Sequence, residues 1–286
     1  MSKKLKLNSL KITLLVFIVL MLSNCQEKGS NEFYNYNLNK RNNIKIKLPE
    51  ELSEISGLAY LDIDHIIAHN DEEGIVYKIK RTSGEVVNKF VLGDKVFKKD
   101  FEGIALVEDT LYLVTSNGVL YKYPGFAANN FTEFEKIKTG LKTENNVEGL
   151  CYDEDTQSLL LACKDKPGKV YKGNKAVYSF NLENMMLETK PRFLISLRKL
   201  RDKYDIKDFS PSGIEIHPTS GNFFIISANN NSLIEITPDG KILAAVKLYK
   251  KYHKQPEGIT ILPDGSLIIA DEGNGSKGYI TIINQN

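Results

Sequence analysis

Five stretches decide how this chain is read: SEISGLAY (53–60), DFEGIALV (100–107), NVEGLCYD (146–153), SPSGIEIH (210–217) and QPEGITIL (255–262). In each, a glycine precedes Leu or Ile and an alternating apolar run, the pattern of a strand entering a core. These glycines are Gly57, Gly103, Gly149, Gly213 and Gly258, spaced 46, 46, 64 and 45 residues apart. Internal repeats of about 40–50 residues, each holding several strands, mark the blades of a propeller.

Around every anchor the same order returns. After the glycine strand and a polar turn comes a second apolar strand: HIIAH, LYLVTS, SLLLAC, NFFIISA or SLIIAD. A third strand rich in Tyr and β-branched residues follows: IVYKI, VLYKY, AVYSF, LIEI or YITII. Four repeats then add a fourth strand, so each unit is a four-stranded antiparallel meander. The fifth repeat stops at three strands, while NIKIKL (43–48) precedes the first glycine without a blade of its own. The expectation is an all-β fold: a β-propeller of five four-stranded blades, closed by that N-terminal strand in the last blade. Closure of this kind removes an open sheet edge.

The 64-residue interval leaves six blades as the alternative count, but its surplus of about 18 residues falls short of a blade. It contains SLRKLRDKYDI (196–206), where Leu197, Leu200 and Tyr204 have helical spacing. A short surface helix between blades three and four is expected there.

The N-terminus has a different character. Residues 1–24 carry four lysines and no acid, with the apolar run ITLLVFIVLML ahead of LSNC. An eleven-residue apolar run, interrupted only by Thr13, is too short for a stable bilayer span, and a basic flank with a short apolar core reads as an export signal. The segment resembles a bacterial lipoprotein signal, with Leu22, Ser23, Asn24 and Cys25 in the lipobox positions, although Asn24 replaces the usual Gly or Ala. The resemblance implies lipidation of Cys25, a polar tether over 25–41 and a single propeller domain over 42–286. Loss of residues 1–24 removes four of 38 basic residues and none of 36 acidic ones, leaving a net charge of −2. Scattered lysines without a basic stripe argue against nucleic acid.

In an antiparallel meander the start of the first strand and the end of the second share one end of the sheet. With the first strand innermost, these residues form one rim of the central channel. Before the glycines stand Glu54 and Ser56, Glu102, Glu148, Ser212 and Glu257. After the second strands stand His69, Asn70 and Asp71, then Ser116 and Asn117, Lys164 and Asp165, Asn229 and Asn230, and Asp271 and Glu272. Carboxylates mixed with amide and hydroxyl oxygens are the ligand set of a hard ion, so the cofactor expectation is Ca²⁺ or, failing that, none. The same residues also suit turns and backbone hydrogen bonds. His69 and Asp71 are the candidate general bases. His217, in a Pro-containing turn, reads as structural, and Cys151 and Cys163 read as buried, unpaired thiols.

The repeated EGI and SGL anchors, HNDEEGIVYKI (69–79), the run 210–240 and QPEGITILPDGSLIIADEGN (255–274) together resemble the SdiA-regulated family of bacterial propellers. More distantly the pattern is similar to NHL-repeat, gluconolactonase and esterase-like phytase propellers, some of which hold a catalytic calcium. The resemblance implies an exported, envelope-anchored propeller over about residues 45–284, and names no reaction. The resulting expectation is a monomeric lipoprotein of the outer membrane that binds a small molecule or envelope protein without catalysis. The alternative is a calcium-dependent hydrolase of a lactone or phosphoester.

Overall fold

A computed structural model describes residues 33, 36–41, 43–126 and 133–285. The chain opens with β1 (Ile44–Lys47) and continues through β2 (Ile55–Tyr60), β3 (His65–Asn70), β4 (Ile75–Lys80) and β5 (Val86–Val91), the last four forming the first blade. The second blade holds β6 (Phe101–Val107), β7 (Thr110–Thr115), β8 (Val119–Tyr123) and β9 (Glu135–Lys138). The third holds β10 (Val147–Asp153), β11 (Ser158–Cys163), β12 (Asn174–Asn181), β13 (Met186–Leu187) and β14 (Phe193–Ser196). Here the outermost strand is split, because β13 and β14 pair with opposite ends of β12. Helix α1 (Leu197–Tyr204) follows, and then the fourth blade: β15 (Gly213–Ile216), β16 (Phe223–Ser227), β17 (Ser232–Ile236) and β18 (Ile242–Lys247). The fifth has β19 (Pro256–Ile261), β20 (Leu267–Asp271) and β21 (Tyr279–Ile283), with β1 as its outer strand, antiparallel to β21. Five blades closed by the N-terminal strand are therefore observed, as expected.

The core is a ring of five apolar clusters, each shared by two neighbouring blades. Period-two geometry explains how one strand serves two clusters. On β11, Leu159, Leu161 and Cys163 face the second blade, while Leu160 and Ala162 face the fourth. Strands covered on both faces need continuous apolar runs, which is why SLLLAC and FFIIS do not alternate with polar residues. Cys151 lies opposite Leu160 and Cys163 opposite Val147, so the two thiols stay apart and free.

Helix α1 packs Leu200 and Tyr204 into the cluster between blades three and four, and the Tyr204 hydroxyl donates to the Ile242 carbonyl. Ser196 caps its first turn, and Asp205, at φ 56°, ends it in the left-handed region.

The tether expectation over 25–41 needs correction at its C-terminal end. Phe33, Tyr36 and Leu38 are buried in the cluster between blades four and five, and Tyr36 donates its hydroxyl to the Gly265 carbonyl at 2.6 Å. Both aromatic rings pack against Phe224. Three apolar side chains within an otherwise polar stretch suffice to dock it. Cys25 and the signal segment lie outside the described residues.

The anchoring glycines are sites of close approach. A Cβ on Gly103 would lie 2.8 Å from the Leu150 nitrogen of the next blade, and one on Gly213 would lie 2.7 Å from the Glu257 carbonyl oxygen. On Gly258 it would lie 2.6 Å from the Ser56 carbonyl oxygen, where the fifth blade meets the first. Backbone cannot yield as a side-chain tip can, so Gly258→Ala is expected to cost roughly 1–3 kcal/mol through overpacking. Urea unfolding measures this, and an unchanged midpoint would mean that the inner strands do not touch there.

Candidate functional site: an acidic channel mouth

The inner strands carry a repeated irregularity. In β6, Phe101 pairs with Thr115 and Gly103 with Val114, leaving Glu102 as an extra residue. The same bulge leaves out Glu148 in β10 and Glu257 in β19, and another falls between Ile55 and Leu58 in β2. A bulge bends the strand and re-aims its unpaired side chain. The three glutamates thereby line the axial channel with the anchoring glycines, where the open space is only about 10 Å³, the room of one water. Ser56 and Ser212 hold the equivalent place in blades one and four. They donate to the next blade's backbone instead, to the carbonyls of Glu102 (3.1 Å) and Pro256 (2.8 Å).

Lys164, from the end of β11, reaches into this ring, and its Nζ lies 2.7 Å from Glu148 Oε1. Asn146 donates to the same oxygen at 3.1 Å. Gln255 bridges Glu257 (3.1 Å) and Glu272. Glu272 also contacts Glu54, so two carboxyl groups share a hydrogen bond.

Burial and like charge push these acids upward together. Burial, then the Glu148 and Asp100 charges, raises Glu102 to about 9. Burial and Glu148 raise Glu257 to about 7, and burial with Glu54 raises Glu272 to about 8. Glu148 rises through burial despite Lys164, and Asp71 through burial and the Glu54 charge. Burial pulls Lys164 down, but Glu148, Glu257 and Glu102 together hold it above its ordinary value.

Several residues expected on the rim stand elsewhere or act structurally. His69 is fully buried against Phe101, and its Nδ1 donates to the Asn70 carbonyl. Burial lowers it to about 4, so it is neutral and enclosed at neutral pH rather than poised at the mouth. Asp271 is also buried and accepts from His253 Nδ1 at 2.9 Å, away from solvent. That pair was invisible in sequence, because His253 comes from a loop with no partner nearby. Asn70 and Asn117 cap turns through Glu73 N and Thr115 Oγ1, and Asn229 is exposed. The neighbouring Asn231, not singled out by sequence, holds the His253 loop through its carbonyl. His217 accepts from the amides of Thr219 and Ser220, confirming its structural role.

Glu54, Asp71, Glu102, Glu148, Glu257 and Glu272 therefore form the mouth, with the Lys164 ammonium among them. Among the described residues no three His, Cys, Asp or Glu side chains are grouped as a metal cage. The model of SdiA-regulated proteins matches residues 32–275. The chain belongs to the SdiA-regulated family. No curated protein matches its sequence. In three dimensions it is similar to glutaminyl cyclase of Myxococcus xanthus, at TM-score 0.56 and 14% identity over 85% of this chain and 94% of that one. It is also similar to a luciferin-regenerating enzyme, at TM-score 0.51 and 11% identity over 85% and 95%. At such identities the likeness concerns the propeller fold alone.

The mouth makes this family member's stability depend on pH with a definite sign. A glutamate has a pKa of about 4.3 when unfolded. Folded values near 7, 8 and 9 mean that the native state binds more protons across that range. Their stabilising contribution is complete below about pH 4 and is lost as pH rises through the folded values. The melting temperature should therefore fall from pH 5 to pH 9, and Glu102→Gln should flatten the slope and raise stability at pH 9. Parallel profiles for variant and wild type in calorimetric scans would contradict the assigned burial of Glu102.

Proposed function

We propose that this protein is an envelope-anchored binding propeller whose channel mouth takes a positively charged ligand without catalysing a reaction on it. One observation carries the reading: six carboxyl groups crowd one rim, three of them around the single Lys164 ammonium, and five of the six are held above their ordinary pKa by burial and mutual repulsion. A second positive charge entering the mouth relieves that repulsion, and crowded like charges at one place are a mark of a functional site. Of the two candidate bases Asp71 stands at the mouth, without a histidine or thiol beside it to complete a catalytic set. His69 is enclosed, and burial raises both thiols well above the range in which a nucleophilic thiolate forms. The lipobox supports attachment through Cys25, which would hold the propeller at the outer membrane.

Spermidine is a suitable probe of the mouth. It should raise the melting temperature at pH 8, where Glu257 is mostly and Glu272 about half ionised, and much less at pH 5, where Glu102, Glu257 and Glu272 are protonated. Glu257→Gln should diminish the effect. CaCl₂ and EDTA should leave the melting temperature unchanged, because among the described residues no three acidic side chains are grouped closely enough to chelate an ion. A calcium-induced shift accompanied by turnover of a lactone or phosphoester would replace this reading with the hydrolase.

The anchor is tested separately by fractionation. Wild-type protein should sediment with membranes and Cys25→Ala should not; equal partitioning of the two would remove the lipid from the proposal.

A further inference from the structure

A cleft of about 850 Å³ opens beside the acidic mouth between blades one and two. Its volume falls in the range of small-molecule sites and exceeds what a single amino acid fills. Its charge is divided. Asp71 and Asp100 form the end toward the channel, and Asp71 Oδ1 is enclosed without a hydrogen-bond partner. The outer end carries Lys98, Lys99, Lys136 and Lys138.

The strand register explains that outer end. Lys136 and Lys138 lie two apart on β9 and so share one face, their Cα atoms about 7 Å apart. They stand opposite Tyr121 and Val119 of β8, which also line the cleft. Lys136 Nζ lies 5.5 Å from the centre of the Tyr121 ring. The wall therefore offers an apolar strip next to two ammonium groups. Lys98 is drawn toward Glu72 at 3.6 Å, an exposed pair of little consequence for stability.

A ligand matched to this cleft has a positive group toward the axis, an extended body with apolar portions, and a negative group at its far end. We propose that the cleft binds a short peptide lengthwise, with its free α-amino group at Asp71 and the acidic mouth and its terminal carboxylate between Lys136 and Lys138. The proposal rests on the reading of the mouth as a cation site and adds the chemistry of the ligand's other end.

Calorimetric titration at pH 7.5 with trialanine, trialaninamide and N-acetyltrialanine separates the two ends. Trialanine should bind most tightly, with the amide and the acetylated peptide each about tenfold weaker, the loss of one charge pairing. In the K136Q/K138Q variant, trialanine and trialaninamide should bind alike, while discrimination against the acetylated peptide persists. Both lysines are exposed, so the variant should retain the wild-type melting temperature. If wild type binds trialaninamide as well as trialanine, or the double variant still prefers trialanine, the peptide orientation is overturned and the cation site stands. If the acetylated peptide binds as well as trialanine, the placement of its amino group at Asp71 is overturned. Absence of binding by all three overturns the peptide proposal, while the spermidine response continues to judge the mouth by itself.

Discussion

A side-chain carbon on Gly103, Gly213 or Gly258 would penetrate the backbone of the next blade, and this tight contact between inner strands governs the rest of the molecule. Gly149 meets Ile214 in the same way, and Gly57 meets Ile104 and the His69 ring, so the five contacts run once around the ring. Such proximity requires each inner strand to bend as it enters, and the bulge before the glycine supplies the bend. The residue in the bulge loses its partner and turns to the channel. Glutamate there becomes part of the mouth, whereas serine at 56 and 212 stitches one blade to the next. Architecture and site therefore derive from a single local irregularity.

That derivation explains what was legible in the sequence. The anchors, the unbroken apolar runs of the middle strands and the orphan NIKIKL segment report the ring directly, since both faces of each blade must be covered. The spacing of Leu200 and Tyr204 reported the helix for the same reason. Glu102, Glu148 and Glu257 were found because the bulge repeats at one register. The other rim residues depend on which way a strand end turns. His69 and Asp271 are the last inward-facing positions of their blades' second strands, one or two residues from the mouth, and a one-residue change of face is enough to bury them. No local pattern distinguishes them from Asp71 or Glu272, which remain at the mouth. The docking of Phe33 and Tyr36 was hidden by the polar residues around them, because average composition dilutes a few large rings.

The channel treats its two ends differently. At the end opposite the mouth, Glu215 faces a pocket of about 180 Å³ lined by Tyr60, Leu106, Cys151 and Tyr152. Burial raises it to about 7, yet the Ile216 amide and the Thr260 hydroxyl occupy its two oxygens. A single carboxyl with both oxygens satisfied is a structural solution. The mouth lacks that economy. Gln255 and Asn146 can each serve only one or two oxygens, and Glu102, Glu148 and Glu257 compete for one ammonium.

The competition has a consequence for binding. Lys164 makes its close pairing with Glu148, so Glu102, Glu257 and Glu272 are restrained chiefly by staying protonated. An incoming cation favours their ionised forms and must therefore release protons as it binds. Between about pH 7 and 9, where those groups titrate, affinity for a cation rises with pH, and this linkage distinguishes a cation held by the acidic ring from one resting on unperturbed surface carboxylates. The latter are ionised throughout that range and release nothing. A proton count for binding, obtained from calorimetry in buffers of different ionisation enthalpy, thus reports whether the ligand reaches the bulged glutamates or stops at the outer loops.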